Sequence, residues 1–148
     1  MTIIVLTGLV VVEKVQLTQA LAQHFHPQKT VAVIDNIARL EVDGLPEKTT
    51  LTPLTGDAVT DLIEAIGSTS ADVIIAAVTE QAHPEKLFIA LDDLREQLPD
   101  ANIYTLALID TRTCDCFPNV RQALEMYADA SVMMPYNLDE VIAYVDIR

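Results

Sequence analysis

A doubly wound α/β domain, three layers deep with a mostly parallel sheet, is the fold class this sequence predicts. Three observations carry that expectation. Five short apolar, β-branched runs recur along the chain, and segments of helical hydrophobic period separate them. The runs are also nearly continuous rather than alternating, which is the pattern of strands covered on both faces. Strands alternating with helices of this length imply right-handed crossovers between parallel neighbours.

The first run, Thr2–Thr7, leads into a helix over Lys14 to Phe25 that offers Leu17, Ala20, Leu21 and His24 on one side, with Pro27 ending it. A second strand covers Thr30–Asp35. The stretch from Ile37 to Gly56, with Gly44, Pro46, Pro53 and several threonines, reads as a long loop with room for one short extra strand. Val59, Leu62, Ile63 and Ile66 share a helical face, followed by a strand at Asp72–Val78. Leu87, Ala90, Leu91, Leu94 and Leu98 mark the next helix, opened by Pro84, whose missing N–H is harmless in a first turn. A strand at Asn102–Ile109 precedes a helix opened by Pro118 and carrying Val120, Ala123, Leu124 and Tyr127. The last strand, Ser131–Met134, is followed by a helix with Leu138, Val141, Ile142 and Val145 on its inner face.

The chain has 148 residues, enough for one core that buries roughly 68–70% of the unfolded surface. Lys and Arg total 9 against 22 Asp and Glu, a formal net charge of −13, while 51% of residues are apolar. A surface this acidic repels the phosphates of nucleic acids and anionic lipids, and the scattered cations form no basic patch, so neither class of partner is expected. The apolar fraction is too high for disorder, and no run approaches the ~18–20 residues of a membrane span. The first residues lack the basic start and cleavage site of a secretory signal, which points to a cytoplasmic protein. Cys114 and Cys116, one residue apart, are poorly placed for a structural disulfide.

In such a sheet, ligands bind beyond the carboxyl ends of the strands. There the segment Gly8-Leu9-Val10-Val11-Val12-Glu13-Lys14-Val15 has the length of a phosphate loop, G-x-x-x-x-G-K-[ST], but keeps only Gly8 and Lys14. Glu13 replaces the glycine that would let backbone N–H groups face phosphate, and Val15 has no oxygen for Mg²⁺. Three consecutive valines favour extended backbone over a wrapped loop. A carboxylate about 4 Å from a phosphate charge would cost about 4 kcal/mol at an effective dielectric near 20. Lys14 is then expected to pair with Glu13 or with solvent.

Several blocks, in order along nearly the whole chain, resemble the metal-insertion GTPases that include CobW-like, HypB-like and UreG-like proteins, most closely the CobW-like branch. Ile3-Ile4-Val5-Leu6-Thr7-Gly8 is similar to that family's first strand and phosphate-loop entry. Val31-Ala32-Val33-Ile34-Asp35-Asn36 with Val42-Asp43-Gly44 resembles its second strand and Asp-Gly turn. Asp72 to Val78 with Thr79, Glu80, Gln81, Ala82, His83 and Pro84 resembles the third, Leu108-Ile109-Asp110-Thr111 the next, and Ala128 to Met133 the run before the guanine-reading motif. The resemblance implies a fold with the topology of a phosphate-loop NTPase, one degenerate domain over 1–148, and no CobW-type C-terminal domain.

The family's functional positions are altered together. The guanine-reading tetrapeptide falls on Met134-Pro135-Tyr136-Asn137, and Gln81 stands where a glycine would meet the γ-phosphate. The family's Gly-Cys-x-Cys-Cys metal motif should lie near Gly56-Asp57-Ala58-Val59-Thr60, where no cysteine occurs. This pattern implies a pseudo-GTPase: Gly8 and Lys14 survive as a vestigial phosphate loop, there is no catalytic residue, Mg²⁺–GTP is not expected, and the fold is retained as a protein-interaction or regulatory module, alone or as a homo-oligomer.

Two readings of Cys114-Asp115-Cys116 stand. It is a pair of small residues in a turn before Pro118, or two thiolates that take Zn²⁺ or Ni²⁺ with help from Asp110, Asp115, Glu80 or His83, which would make the protein a metal carrier or sensor. His24 and His26, two residues apart on a helix end, do not share a face and suit the negative end of the helix dipole. Met133-Met134-Pro135-Tyr136, together with Phe117 and Val10 to Val12, form either an exposed apolar patch in place of the nucleotide or a collapsed extension of the core.

Overall fold

Two stripes of apolar side chains on each buried strand decide the architecture, because each stripe needs its own layer of helices. The computed structural model describes residues 1–37, 40, 44–56, 59–110, 112 and 117–145. In chain order its elements are β1 (Thr2–Gly8), α1 (Val12–Phe25), β2 (Val31–Asp35), β3 (Thr50–Pro53), α2 (Val59–Gly67) and β4 (Val73–Ala77). They continue with α3 (Pro84–Gln97), β5 (Asn102–Ile109), α4 (Pro118–Tyr127), β6 (Ala130–Met133) and α5 (Leu138–Val145). The six strands form one sheet in the order β3-β2-β4-β1-β5-β6, and every neighbouring pair is parallel. The expected "mostly parallel" sheet is therefore wholly parallel among the described residues, and the extra strand in the long loop is β3, on the sheet edge beside β2.

All seven residues of β1 are buried. Ile4 and Leu6 face a core completed by Leu17 and Leu21 of α1 and Val141 and Val145 of α5. Ile3 and Val5 face the opposite core, with Leu62 and Ile66 of α2, Leu87 and Leu91 of α3, and Leu124 of α4. This is the three-layer arrangement expected. It follows from direction: the crossover from β1 runs one way along the sheet and those from β3, β4 and β5 run the other, so right-handed connections put their helices on opposite faces. Each aliphatic side chain moved fully from water into these cores stabilises the fold by about 1.5–3 kcal/mol.

The carboxyl edge is fixed by polar clamps. Asp35 accepts hydrogen bonds from the N–H groups of Ile37 (3.1 Å) and Leu40 (3.3 Å). The Asn36 amide donates to the carbonyls of Leu54 (3.2 Å) and Gly56 (2.9 Å), and its oxygen accepts from the Thr79 N–H at 3.0 Å. One buried side chain thus ties the end of β2 to the segments leaving β3 and β4. Among the described residues, no helix is long and apolar enough to cross a membrane.

Candidate functional site

The site begins where β1 stops. Gly8 is paired with Leu108 of β5 and has φ +125°, a conformation that L side chains rarely adopt. Four residues later α1 starts, with Val11 at its N-cap and no side chain capping it. The helix therefore takes in Val12, two residues earlier than the sequence suggests, and the valine run does not stay extended. Val10 is buried, whereas Val12 is 63% exposed on the first turn.

Lys14 departs most from expectation. It does not pair with Glu13 or reach solvent: it is completely buried, and its ammonium donates to the carbonyl oxygens of Gly8 (2.7 Å) and Val78 (2.8 Å). The lysine points back under the loop and joins the end of β1 to the residue just after β4. Burial lowers its pKa from 10.5 to about 8, against the opposing field of Glu80. Gly8 and Lys14, the two residues expected to survive from a phosphate loop, are thus brought together, by bonding to one another.

Above them, a cleft of about 460 Å³ is lined by Glu13, Gln16, Asp110, Arg112, Met134 and Tyr136, among others. Asp110, at the end of β5, accepts from the Arg112 N–H (2.9 Å) and pairs with its guanidinium at 3.2 Å. The Arg112 side-chain bond holds the Asp110 carboxyl below the usual carboxylate range. The Tyr136 phenol is shifted up, first by burial and then by the negative field of Glu13. The cleft thus presents two carboxylates and one guanidinium, with a phenol and a thioether behind them. Chemically, it is suited to donors and cations rather than to a chain of phosphates.

The two alternatives for the apolar residues divide between them. Met134 and Tyr136 pack against the core on the α1 side. Phe117 (54%) and Met133 (43%) stay exposed.

His83 stands elsewhere. It is the N-cap residue of α3 and lines a groove of about 870 Å³ between α2 and α3, which shares no lining residue with the Asp110 cleft. Cys114, Asp115 and Cys116, like Thr111, Val42, Asp43, Asp57 and Ala58, lie outside the described residues. Among those described, no three His, Asp or Glu side chains gather in a form that could hold a metal. Arg112 and Gln16 were not singled out from the sequence, and Asn36 stood there only as the asparagine closing the second-strand block, without its clamping role. The Asp110-x-Arg112 spacing after a strand was the available signal for the first; nothing local marks Gln16.

Protein-family models and curated proteins give no match to this chain. Solved structures do. The Zn(II)-bound YjiA GTPase from E. coli aligns with a TM-score of 0.59 at 19% identity, over 98% of this chain and 54% of that one. The signal recognition particle receptor FtsY from Elizabethkingia anophelis aligns at 0.55 and 17% identity, over 88% of this chain and 48% of its own. The same receptor in complex with GDP aligns at 0.53 and 16%, over 88% and 47%. This chain spans about half the length of the structures it matches. At these identities the likeness is one of fold: the six-stranded parallel sheet and its helices have the P-loop GTPase architecture.

Proposed function

We propose that this domain is a catalytically inactive, CobW-like descendant of the P-loop GTPases that works as a protein-interaction or regulatory module. The observation that carries this reading is Lys14. The side chain that would neutralise phosphate is engaged by two backbone carbonyls and shut away from solvent. The surrounding residues support it: Glu13 on the first turn of α1 repels phosphate, and Val15 has no hydroxyl for a metal, so the residues present do not fit Mg²⁺–nucleotide. Calorimetric titration with GTP, GDP and ATP in the presence of Mg²⁺ is expected to show no binding tighter than about 10 μM, near −7 kcal/mol. Tighter binding of any of the three would remove the reading.

A second reading, a metal carrier or sensor using Cys114 and Cys116, draws support from the Zn(II)-bound state of the similar YjiA structure. Two thiolates leave a tetrahedral ion two ligands short, which a second copy of the chain, or Asp110 together with one further ligand, would supply. On this reading the protein takes up Zn²⁺ or Ni²⁺ and Cys114→Ser abolishes uptake; unchanged stoichiometry in the variant sinks it.

A further inference from the structure

At the opposite, amino-terminal edge of the sheet, a crevice of about 370 Å³ is lined by His26, Lys29, Lys48, Thr49 and Asp72, among others. Three independent features meet there. The first is charge. In a chain with a net charge of −13 and only four lysines, two of them, Lys29 and Lys48, line one crevice together with His26, from the end of α1, the turn before β2 and the loop before β3.

The second is an orphan donor. The Thr49 hydroxyl is the one buried side-chain polar atom without a hydrogen-bond partner among the described residues. Leaving such a group unsatisfied costs about 1–3 kcal/mol, a cost that an acceptor entering the crevice beside it would offset.

The third is backbone strain. Lys48 has φ +65°, at the third position of a turn closed by the Thr49 N–H to the Pro46 carbonyl at 3.3 Å. Glycine or asparagine is the ordinary choice there. A lysine at that position is a strained choice, and Lys48 makes no ion pair among the described residues.

We propose that this crevice is a phosphate-binding site, held by Lys48, Lys29 and the Thr49 hydroxyl with His26 at its rim. A tetrahedral oxyanion offers several acceptors at once, which suits two ammonium groups and a hydroxyl donor better than a planar carboxylate does. Competing demands on these lysines are weak: the Lys29 ammonium lies 5.8 Å from the centroid of the Phe25 ring, and its field is one of the smaller causes that hold the Asp72 carboxyl below the usual range. Backbone N–H groups of His26, Gln28 and Lys29 take up the Ala22 and Phe25 carbonyls at the end of α1, so the lysine is not needed to cap the helix. Asp72 is the one carboxylate on the wall, and one of its oxygens accepts the Thr30 N–H at 3.1 Å. The site is remote from the Gly8–Lys14 loop, since parallel strands put the two at opposite ends of the sheet, and it does not depend on the reading of that loop.

The test is an amide-resolved NMR titration of the full chain with inorganic phosphate, and separately with glycerol 3-phosphate, at constant ionic strength set with chloride. Saturable shifts are expected at Lys29, Thr30, Lys48 and Thr49. Lys48→Gly relieves the positive φ, so it should fold at least as stably while binding phosphate about tenfold more weakly. Thr49→Val keeps the shape, removes the orphan hydroxyl, and should also weaken binding. The proposal is overturned if Lys48→Gly and Thr49→Val bind like the parent, or if the shifts appear around Gly8 to Val15 instead. Binding of the ester but not of inorganic phosphate supports the site and identifies a phosphate monoester as its ligand.

Discussion

Gly8→Ala is expected to lower the unfolding free energy by about 4 kcal/mol, a large part of a typical 5–15 kcal/mol total. Two costs combine. The backbone at φ +125° is strained for any side chain, a penalty of about 1–3 kcal/mol. In addition, a Cβ at this position would collide with the Leu108 carbonyl oxygen, which is held in place by the pairing of β1 with β5. Overpacking against a fixed partner adds about 1–3 kcal/mol. Gly56 is the internal control: it also has positive φ, at +85°, but a Cβ there meets nothing within 4 Å. Gly56→Ala should therefore cost only about 1 kcal/mol. Urea unfolding of both variants reads the difference, and equal losses would show that the Leu108 contact does not matter. The expected result also changes what Gly8 means. A glycine at the mouth of a phosphate loop looks like a remnant of nucleotide binding, yet here the close approach of two strands requires it whether or not any phosphate ever binds.

The same distinction explains how much could be read from the sequence. The strand at Asn102–Ile109 and the proline starts of α3 and α4 were legible because local pattern decides them: a continuous apolar run, and a ring that fits only a first turn. β3 was visible only as room for a short strand, because Thr50–Pro53 is half exposed at the sheet edge and has no apolar run to announce it. At the site, Glu13 and Val15 in place of the glycine and hydroxyl of the phosphate-loop pattern could be read directly. The fate of Lys14 could not. Its acceptors are backbone carbonyls at Gly8 and, 64 residues away in sequence, Val78, and no side-chain pattern reports where a carbonyl points. The Asn36 clamp was hidden for the same reason, since two of its three partners are carbonyls and the third is a backbone N–H.

Between pH 8 and 10.5, the stability advantage of the parent over Lys14→Met is expected to grow by roughly 3 kcal/mol, at about 1.4 kcal/mol for each tenfold change in proton affinity. Below about pH 8 the amine is protonated in both the folded and unfolded chain, and the folded state carries the full cost of a buried charge. From there to 10.5 the folded protein releases the proton while the unfolded chain still holds it. Stability therefore rises with pH across that window and levels off above it. Deprotonation does not undo the tie, because a neutral amine retains two N–H donors and the structure supplies two acceptors, the carbonyls of Gly8 and Val78. Methionine keeps the length and the apolar stem but has neither charge nor donor, so the variant lacks this titration and leaves both carbonyls without their lysine. Taking the difference between the two proteins cancels the tyrosines and the other lysines that titrate in the same range. Denaturant unfolding at pH 7, 8, 9, 10 and 10.5 measures it. Parallel curves would mean that the Lys14 amine keeps an ordinary proton affinity and is therefore solvated. The loop would then be open to phosphate, and the case for an inactive GTPase fold would lose its principal support.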